Sequence, residues 1–164
     1  MRKIGLLSDT HGFLDPRLFE LFSNVDEIWH AGDIGLGNVL TDMERFKPTR
    51  AVFGNIDDWD IRSRLTEHQR FACEGLKVWM THIGGYPGNY APSVKHELFK
   101  NPPGLFISGH SHILKVMFDK DLGCLHINPG SAGRSGLHQV RTAVRFTIDS
   151  GEVKDLEVIE LGKK

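Results

Sequence analysis

Five short apolar segments of this chain each run into a side chain that can bind a metal ion, and this recurrence constrains the fold strongly. The segments are Lys3–Leu7, Glu27–Trp29, Arg50–Phe53, Lys77–Met80 and Leu105–Ile107. The polar residues that follow them are Asp9 and His11, His30 and Asp33, Asn55, His82, and His110 and His112. In open α/β sheets, ligands bind beyond the carboxyl ends of strands. The pattern therefore predicts strands whose ends share one polar, metal-binding rim.

Helix-like and strand-like segments alternate through the first two-thirds of the chain, as is typical of βαβ units. Apolar spacing predicts helices from an Asp15 N-cap to Val25, from an Asn38 N-cap to Phe46, and over 92–100. The last third instead predicts antiparallel strands, at Val116–Phe118, Cys124–Ile127, Thr142–Ile148 and Val153–Leu161. We therefore expect one α/β domain over residues 1–164, with two sheets packed face to face and helices outside.

Composition argues against several classes of protein. The 164-residue chain has a net charge of −1 with neutral histidines, so no strong signal indicates nucleic-acid binding. Cys73 and Cys124 are far from any ligand motif, so we expect them to be buried as small apolar side chains. The first seven residues are too short for a signal peptide, and no segment approaches the length of a membrane span. We therefore expect a cytoplasmic protein without membrane contact.

Spacing and residue type both point to a metal site. Residues two apart on a strand share a face, so Asp9 with His11, and His110 with His112, would each offer two ligands to one side if strand geometry persists. Glycine, which permits a tight turn and leaves room for a ligand, precedes Asp33, Asn55 and His110. A mixture of carboxylate, imidazole and amide favours Mn, Fe, Zn, Co or Ni over an all-oxygen Mg or Ca cage.

Written as motifs, these residues are D-T-H, G-D, G-N-I-D, T-H and G-H-S-H, in that order. The ordered set resembles the calcineurin-like metallophosphoesterases, and especially their small bacterial and archaeal branch, the YfcE-like phosphodiesterases. The resemblance covers Ile4 to about Arg134 and includes an N-P-G-S loop at Asn128–Ser131. It implies the fold of that family, a four-layer α/β/β/α sandwich of two mixed β-sheets flanked by helices.

The resemblance also implies two divalent transition-metal ions, with manganese as our first expectation and nickel, iron, zinc or cobalt as alternatives. The first metal would be held by Asp9, His11, Asp33 and His112. The second would be held by Asp33, Asn55, His82 and His110, with Asp33 bridging. Asp33, Asn55 and His110 would carry catalysis through a hydroxide held between the metals and through the bound phosphate.

Two positions depart from the family's pattern. Where the family often places a histidine after the asparagine to protonate the leaving group, this chain has Ile56, so the general acid is not identified. The histidine of the fourth motif is often followed by glycine, whereas His82 is followed by Ile83 and only then by Gly84-Gly85.

The resulting functional hypothesis is metal-dependent hydrolysis of a small phosphoester, with in-line attack by the metal-held hydroxide. A phosphodiester is favoured over a monoester, because no cationic cluster is visible that would neutralise a dianion. The alternative is a catalytically weak or inactive scaffold of the same fold, like the Vps29 subunit of retromer, which would be expected to lack ligands. The sequence does not predict the oligomeric state.

Several residues near the motifs allow two interpretations each, one functional and one structural. His30 either hydrogen-bonds a ligand or is a packed core histidine, and Asp57 either hydrogen-bonds the site or caps a helix before Trp59. Asn128 either lies near the metals or is a turn residue. A substrate contact is the minority reading for His126 and a phosphate contact for Arg134.

The remaining expectations are structural. His68, His96 and His138 are predicted at the surface, and Trp29, Trp59 and Trp79 in core or partly buried positions. The segment Gly84–Pro92 is predicted to be a loop that either covers the site or is a plain surface loop.

Overall fold

The computed structural model describes residues 1–164 and contains twelve strands and four helices. The strands are β1 (Arg2–Leu7), β2 (Glu27–His30), β3 (Thr49–Ala51), β4 (His68–Cys73), β5 (Leu76–Thr81), β6 (Gly85–Tyr86), β7 (Asn89–Tyr90), β8 (Leu105–Ile107), β9 (Leu114–Asp119), β10 (Cys124–Pro129), β11 (Val140–Asp149) and β12 (Glu152–Lys163). The helices are α1 (Arg17–Leu21), α2 (Val39–Phe46), α3 (Trp59–Arg64) and α4 (Pro92–Lys100).

Ten of the strands form two five-stranded sheets, each of them mixed. The first sheet has the order β12-β11-β1-β2-β3, and its strands β1, β2 and β3 are parallel. The second has the order β4-β5-β8-β10-β9, and its strands β5, β8 and β10 are parallel. The five segments that precede the candidate ligands are thus divided between two sheets, three in the first and two in the second.

Three apolar clusters separate four layers. Side chains from both sheets, including Leu6, Trp29 and Met80, fill the space between them. The outer face of the first sheet packs against α1, α2 and α3, for example through Leu18. The outer face of the second packs against α4, for example through Leu98. The predicted four-layer α/β/β/α sandwich is therefore confirmed.

Two of the three predicted helices are confirmed, and the first differs from its prediction. Helices α2 and α4 lie where the apolar spacing places them, whereas α1 spans only Arg17–Leu21 and ends well before Val25. Ser23 and Asn24 follow it, and such side chains compete for backbone hydrogen bonds better outside a helix. Asp15 does not cap α1 as predicted, because its carboxylate instead accepts the backbone N–H and the guanidinium of Arg17.

Other features were missed or wrongly predicted. Strand β4 has no counterpart in the sequence predictions, and helix α3 was foreseen only in the interpretation of Asp57 as the cap of a helix before Trp59. The loop Gly84–Pro92 contains the short hairpin β6–β7. Trp59 is 81% exposed, so its predicted burial is wrong. The predicted strands of the last third and the burial of Cys73 and Cys124 are confirmed.

None of the four helices combines the length and the apolar character that crossing a bilayer would require.

Candidate metal centre

Three imidazoles converge on two carboxylates where the two sheets meet. The Nε2 atom of His112 lies 3.1 Å from Asp9 Oδ1, and that of His82 lies 3.2 Å from Asp33 Oδ2. The Nε2 atom of His11 lies between the two carboxylates, 3.8 Å from Asp9 Oδ1 and 3.5 Å from Asp33 Oδ2. The carboxylates come from the first sheet and His82 from the second, so the centre joins the two sheets.

The second oxygen of each carboxylate is held by the protein itself. Asp9 Oδ2 accepts hydrogen bonds from the Ser8 hydroxyl at 2.6 Å and from the His110 N–H at 3.2 Å. Asp33 Oδ1 accepts one from the Ile56 N–H at 3.1 Å. Each carboxylate is thereby oriented with one oxygen toward the imidazoles.

These side chains form two groups, each able to hold a metal ion. One consists of Asp9, His11 and His112, the other of Asp33, His82 and His110, and the ligand atoms of each group lie within 4.8 Å of one another. Asn55 joins the second group, since its Oδ1 lies 3.0 Å from His110 Nδ1. Asp9 Oδ1, His11 Nε2 and His82 Nε2 are buried without a hydrogen-bond partner. Unpaired lone pairs of this chemistry fit divalent transition metals.

Strand geometry does not persist to the paired ligands, so the condition attached to their two-residue spacing is not met. Five of the candidate ligands have positive φ angles, namely Asp9 (55°), His11 (47°), Asp33 (56°), His110 (71°) and His112 (61°). Left-handed backbone at non-glycine residues costs free energy, and such residues cluster at functional sites. The two-residue spacing therefore brings the pairs together through left-handed turns rather than through the pleat of a strand.

The predicted glycines act mainly by leaving space. A Cβ atom at Gly54 would collide with the Asp33 carboxylate, and one at Gly109 would lie 2.9 Å from Asp9 Oδ2. Neither glycine has a positive φ angle. They are required because the candidate ligands pass directly against the backbone.

The acidic and basic side chains of the centre shift one another's pKa values. Burial raises the Asp9 pKa, but the nearby imidazoles of His11 and His112 outweigh it and hold that pKa far below its usual range. The Asp33 pKa is also lowered, since its contacts with His82 outweigh burial. The nearby Asp9 carboxylate raises the His11 pKa. Because a metal binds the neutral imidazole, metal binding would compete with protonation of His11.

Hydrogen bonds on the far side of the rings set their tautomers. His82 Nδ1 donates to the Ala31 carbonyl at 2.7 Å, which leaves its Nε2 lone pair facing the carboxylates. His138 Nε2 donates to the Gly133 carbonyl at 2.8 Å, so its Nδ1 accepts the Nδ1–H of His112 at 3.2 Å. His138 is half-buried rather than fully exposed, and the prediction of a plain surface residue missed its contact with a candidate ligand. His68 and His96 are exposed as predicted.

The three neighbouring residues with two readings all bind the loops around the centre. The fully buried His30 accepts the Gly32 N–H at Nδ1 and contacts Thr10 Oγ1 through Nε2, and burial lowers its pKa to about 4. Asp57 accepts three backbone N–H groups, from Ile34, Gly35 and Gly54, while the helix cap belongs to Asp58. Asn128 donates to the Gly109 carbonyl and to Ser111 Oγ.

His126 and Arg134, for which contact with the substrate was the less favoured interpretation, lie in different environments. His126 is buried, with neither ring nitrogen hydrogen-bonded, and burial lowers its pKa to about 4. Arg134 is exposed and stacks on the Phe13 ring at 3.7 Å.

Sequence reasoning missed Ser8, Ser131 and the role of His138. Ser8 precedes Asp9, and that adjacency was the available signal. Ser131 Oγ donates to the Asp9 carbonyl at 3.0 Å and lies in the N-P-G-S loop. Nothing in the sequence connects His138 to His112, because the contact depends on the path of the 133–139 loop.

Comparison with known proteins agrees with the fold and the centre. The profile of the calcineurin-like phosphoesterase superfamily domain matches residues 2–151. A probable metallophosphoesterase of Methanothermobacter thermautotrophicus is 32% identical over 97% of this chain and 92% of its own length. This chain therefore belongs to the calcineurin-like phosphoesterase superfamily, whose members use divalent metals.

Solved structures show the same fold. A novel archaeal phosphodiesterase is 25% identical, with a TM-score of 0.73 over 97% of this chain and 99% of that chain. Vps29 from Entamoeba histolytica, complexed with Zn²⁺, is 16% identical, with a TM-score of 0.72 over 97% and 98% of the respective chains. The fold is thus shared by a protein described as a phosphodiesterase and by Vps29.

Proposed function

We propose that this chain is a metal-dependent phosphodiesterase with two divalent transition-metal ions, manganese first among them, between its two sheets. The observation that carries the proposal is the set of three buried, unpartnered atoms, Asp9 Oδ1, His11 Nε2 and His82 Nε2. Buried polar atoms normally have partners, and leaving them unpaired costs free energy. Cations would supply that partner, with nickel, iron, zinc or cobalt as the alternatives to manganese.

The two ligand groups support an assignment of residues to each ion. Asp9, His11 and His112 would hold the first, and His82, His110 and Asn55 the second. Asp33 Oδ2 lies within 3.5 Å of His11 Nε2 and 3.2 Å of His82 Nε2, at the boundary of both groups. This position supports a bridging role for Asp33.

The bound ions would lower the pKa of water and take negative charge from the phosphoryl oxygens. The protein supplies the frame around them. Asp9, Asp33 and His82 lie buried at the bottom of the centre, whereas Asn55 and His110 are exposed at its mouth. A phosphoester would therefore approach past Asn55 and His110, which can orient it toward the buried groups.

Charge favours a phosphodiester over a monoester. Two carboxylates against two dications leave about two net positive charges, which suits an anionic ester. No lysine or arginine hydrogen-bonds to a side chain of either ligand group, so a dianion would find no added cation there. The likeness to the archaeal phosphodiesterase supports the same choice.

The leaving group would receive little help from the protein. Ile56 stands after Asn55 and is 45% exposed, so no imidazole occupies that place. His30 cannot substitute, because it is buried and both its ring nitrogens are engaged. Diesters with an acidic aryl leaving group should therefore react much faster than alkyl diesters.

A metal-by-substrate screen tests the proposal. The protein would be stripped with chelator and reloaded separately with Mn²⁺, Ni²⁺, Fe²⁺, Zn²⁺, Co²⁺ or Mg²⁺. We expect reloading to raise the melting temperature and to restore hydrolysis of bis(p-nitrophenyl) phosphate above that of p-nitrophenyl phosphate. An unchanged melting temperature after verified stripping would contradict the two-metal site, and faster monoester hydrolysis would contradict the choice of substrate.

A scaffold is the second candidate, because the Vps29 structures share this fold. The candidate ligands are present, contrary to what a scaffold was expected to show, so a scaffold with this centre would give metal-dependent melting without turnover of any ester. The same screen therefore separates the two functions.

A further inference from the structure

A cavity of about 340 Å³ lies beside the mouth of the metal centre and plays no part in the function proposed so far. His110 forms one end, and the hairpin β6–β7 and strand β9 form the other. Its volume falls in the range of small-molecule sites, about 300–1,000 Å³, and far exceeds the space that one phosphate needs. A group attached to a phosphate at the centre could therefore extend past His110 into the cavity.

The cavity is lined by cationic and neutral groups only. Lys115 is its one charged residue besides the titratable histidines, and no carboxylate faces it. Lys115 is half-buried as a residue, and its ammonium forms no ion pair and lies 4.2 Å from the centre of the Tyr86 ring. A partly desolvated lysine without a counter-ion is a ready partner for an anion.

Two further polar groups have unused hydrogen-bonding capacity. Ser111 Oγ accepts from Asn128 Nδ2 at 3.1 Å and from the Ile113 N–H at 3.2 Å, so its own proton remains free to donate. His126 is only 1% exposed, lines the cavity and has no partner at either ring nitrogen. An unpaired buried imidazole is costly, and a bound group in the cavity would satisfy it.

Asn128, which also lines the cavity, has no unused hydrogen-bonding capacity. Its amide donates to the Gly109 carbonyl and to Ser111, and its Oδ1 accepts the Gly130 N–H. Asn128 is therefore saturated and positions Ser111. Ser111, Lys115 and His126 keep unused bonding capacity, as does the Tyr86 hydroxyl, which accepts from Asn89 Nδ2 at 3.2 Å.

We propose that this cavity binds one ester arm of the phosphodiester substrate, and that this arm carries a second anionic group, a carboxylate or a phosphate, which pairs with Lys115. The proposal rests on the proposed function of the adjoining centre. It narrows the substrate class to phosphodiesters with an anionic arm, with Ser111 and His126 as further hydrogen-bond partners of that anionic group.

Rates on a matched substrate series test the arm. Each diester would carry the same p-nitrophenyl leaving group and a propyl arm ending in a methyl, carboxylate, phosphate or ammonium group. For wild type we expect kcat/KM at least about tenfold higher with either anionic arm than with the methyl arm. Lys115→Met should bring that ratio close to one, and Lys115→Glu should favour the ammonium arm. Comparison of the carboxylate and phosphate arms identifies the preferred anion.

Lys120→Met is the matched control, because this exposed lysine lies in the β9–β10 turn outside the cavity. It should keep the wild-type ratio. Equal kcat/KM for all four arms in wild type would overturn the proposal, as would an anionic preference that survives in Lys115→Met.

Binding separates this proposal from the proposed function. With Zn²⁺-loaded protein, 4-phosphonobutyrate should bind about tenfold more tightly than butylphosphonate and shift the ring ¹⁵N resonances of His126. That result without ester turnover would reject the phosphodiesterase and retain the anion subsite. Turnover with equal binding of the two phosphonates and an unmoved His126 would reject the subsite and retain the phosphodiesterase.

Discussion

Two regions of the molecule bury carboxylates among basic side chains, and they differ in how completely the oxygens are paired. Asp15 is 4% exposed, and both its oxygens are bonded, Oδ1 to the Arg17 N–H and Nε and Oδ2 to Arg17 and Arg141. Asp9 is fully buried, and its Oδ1 has no hydrogen-bond partner although three imidazoles surround it.

A depressed pKa does not distinguish these regions. The Arg17 side chain holds the Asp15 pKa far below its usual range, and the imidazoles around Asp9 do the same there. What differs is the unused bonding capacity, together with left-handed backbone at Asp9 and His11. The Asp15 cluster has the character of a structural ion pair, and the candidate metal centre has the character of a binding site. Unpaired buried atoms are therefore a better indicator of function than a depressed pKa.

The largest effect is expected from Asp33→Asn. This change keeps the shape of the side chain and removes the charge that both ions would share, so kcat should fall at least about a hundredfold. The measurement is steady-state hydrolysis of an aryl diester at saturating Mn²⁺. Asp60→Asn, an exposed change in α3, is the control and should retain wild-type kcat. Near-normal turnover by Asp33→Asn would contradict the bridging assignment.

Asp15→Asn should show the opposite behaviour. Removing one partner of a buried ion pair leaves the Arg141 charge uncompensated, so the free energy of unfolding should drop by about 3 kcal/mol. The kcat should stay within about twofold of wild type, because the cluster touches neither ligand group. Urea unfolding and diester turnover on the same preparation measure both. A large loss of kcat with intact stability would make the comparison between the two regions invalid.

The comparison also shows what could be predicted from sequence. The candidate ligands were found because each follows an apolar strand, and strand periodicity and turn chemistry are local properties. The way they meet was not predictable in the same manner, since the left-handed turns at His110 and His112 replace the expected pleat. Local alternation specifies which residues belong to a strand and does not specify how the chain leaves it.

Contacts between residues far apart in the sequence could not be predicted either. His138 supports His112 across 26 residues of sequence, and Asp57 ties together the loops carrying Asp33 and Asn55. Trp59 was expected to be buried on residue type alone, yet it begins a short helix on the surface. Such features depend on packing between elements, on which residue type and spacing carry no information.

His138→Phe tests how a neighbouring side chain supports the metal centre. The change keeps a ring but removes the acceptor that fixes the His112 tautomer, so one metal should bind about tenfold more weakly. Calorimetric Mn²⁺ titration of the stripped protein resolves the two binding events. His96→Phe, an exposed change in α4, should leave both unchanged. Equal affinities in His138→Phe and wild type would mean that the His112–His138 contact does not orient the ligand.

The smallest expected effect is a pH dependence of the free energy of unfolding that arises from His126. This ring lies outside the metal centre and, unlike the Asp15 carboxylate, has no hydrogen-bond partner. Burial lowers its pKa from 6.5 to about 4, so the unfolded chain takes up the proton first as the pH falls. Titration of this ring therefore has almost no effect on stability above pH 6.5, and stability is lost progressively as the pH drops toward 4. Between pH 7 and 5.5 this loss should amount to about 1 kcal/mol.

His126→Phe removes this titration and keeps an aromatic ring beside Phe106. The measurement is urea unfolding of both proteins at several pH values, with chelator present so that metal release contributes equally. The stability of His126→Phe relative to wild type should rise by about 1 kcal/mol as the pH is lowered from 7 to 5.5. A difference that stays constant over this range would mean that the His126 ring finds a partner, and that its unpaired nitrogens do not mark a binding cavity.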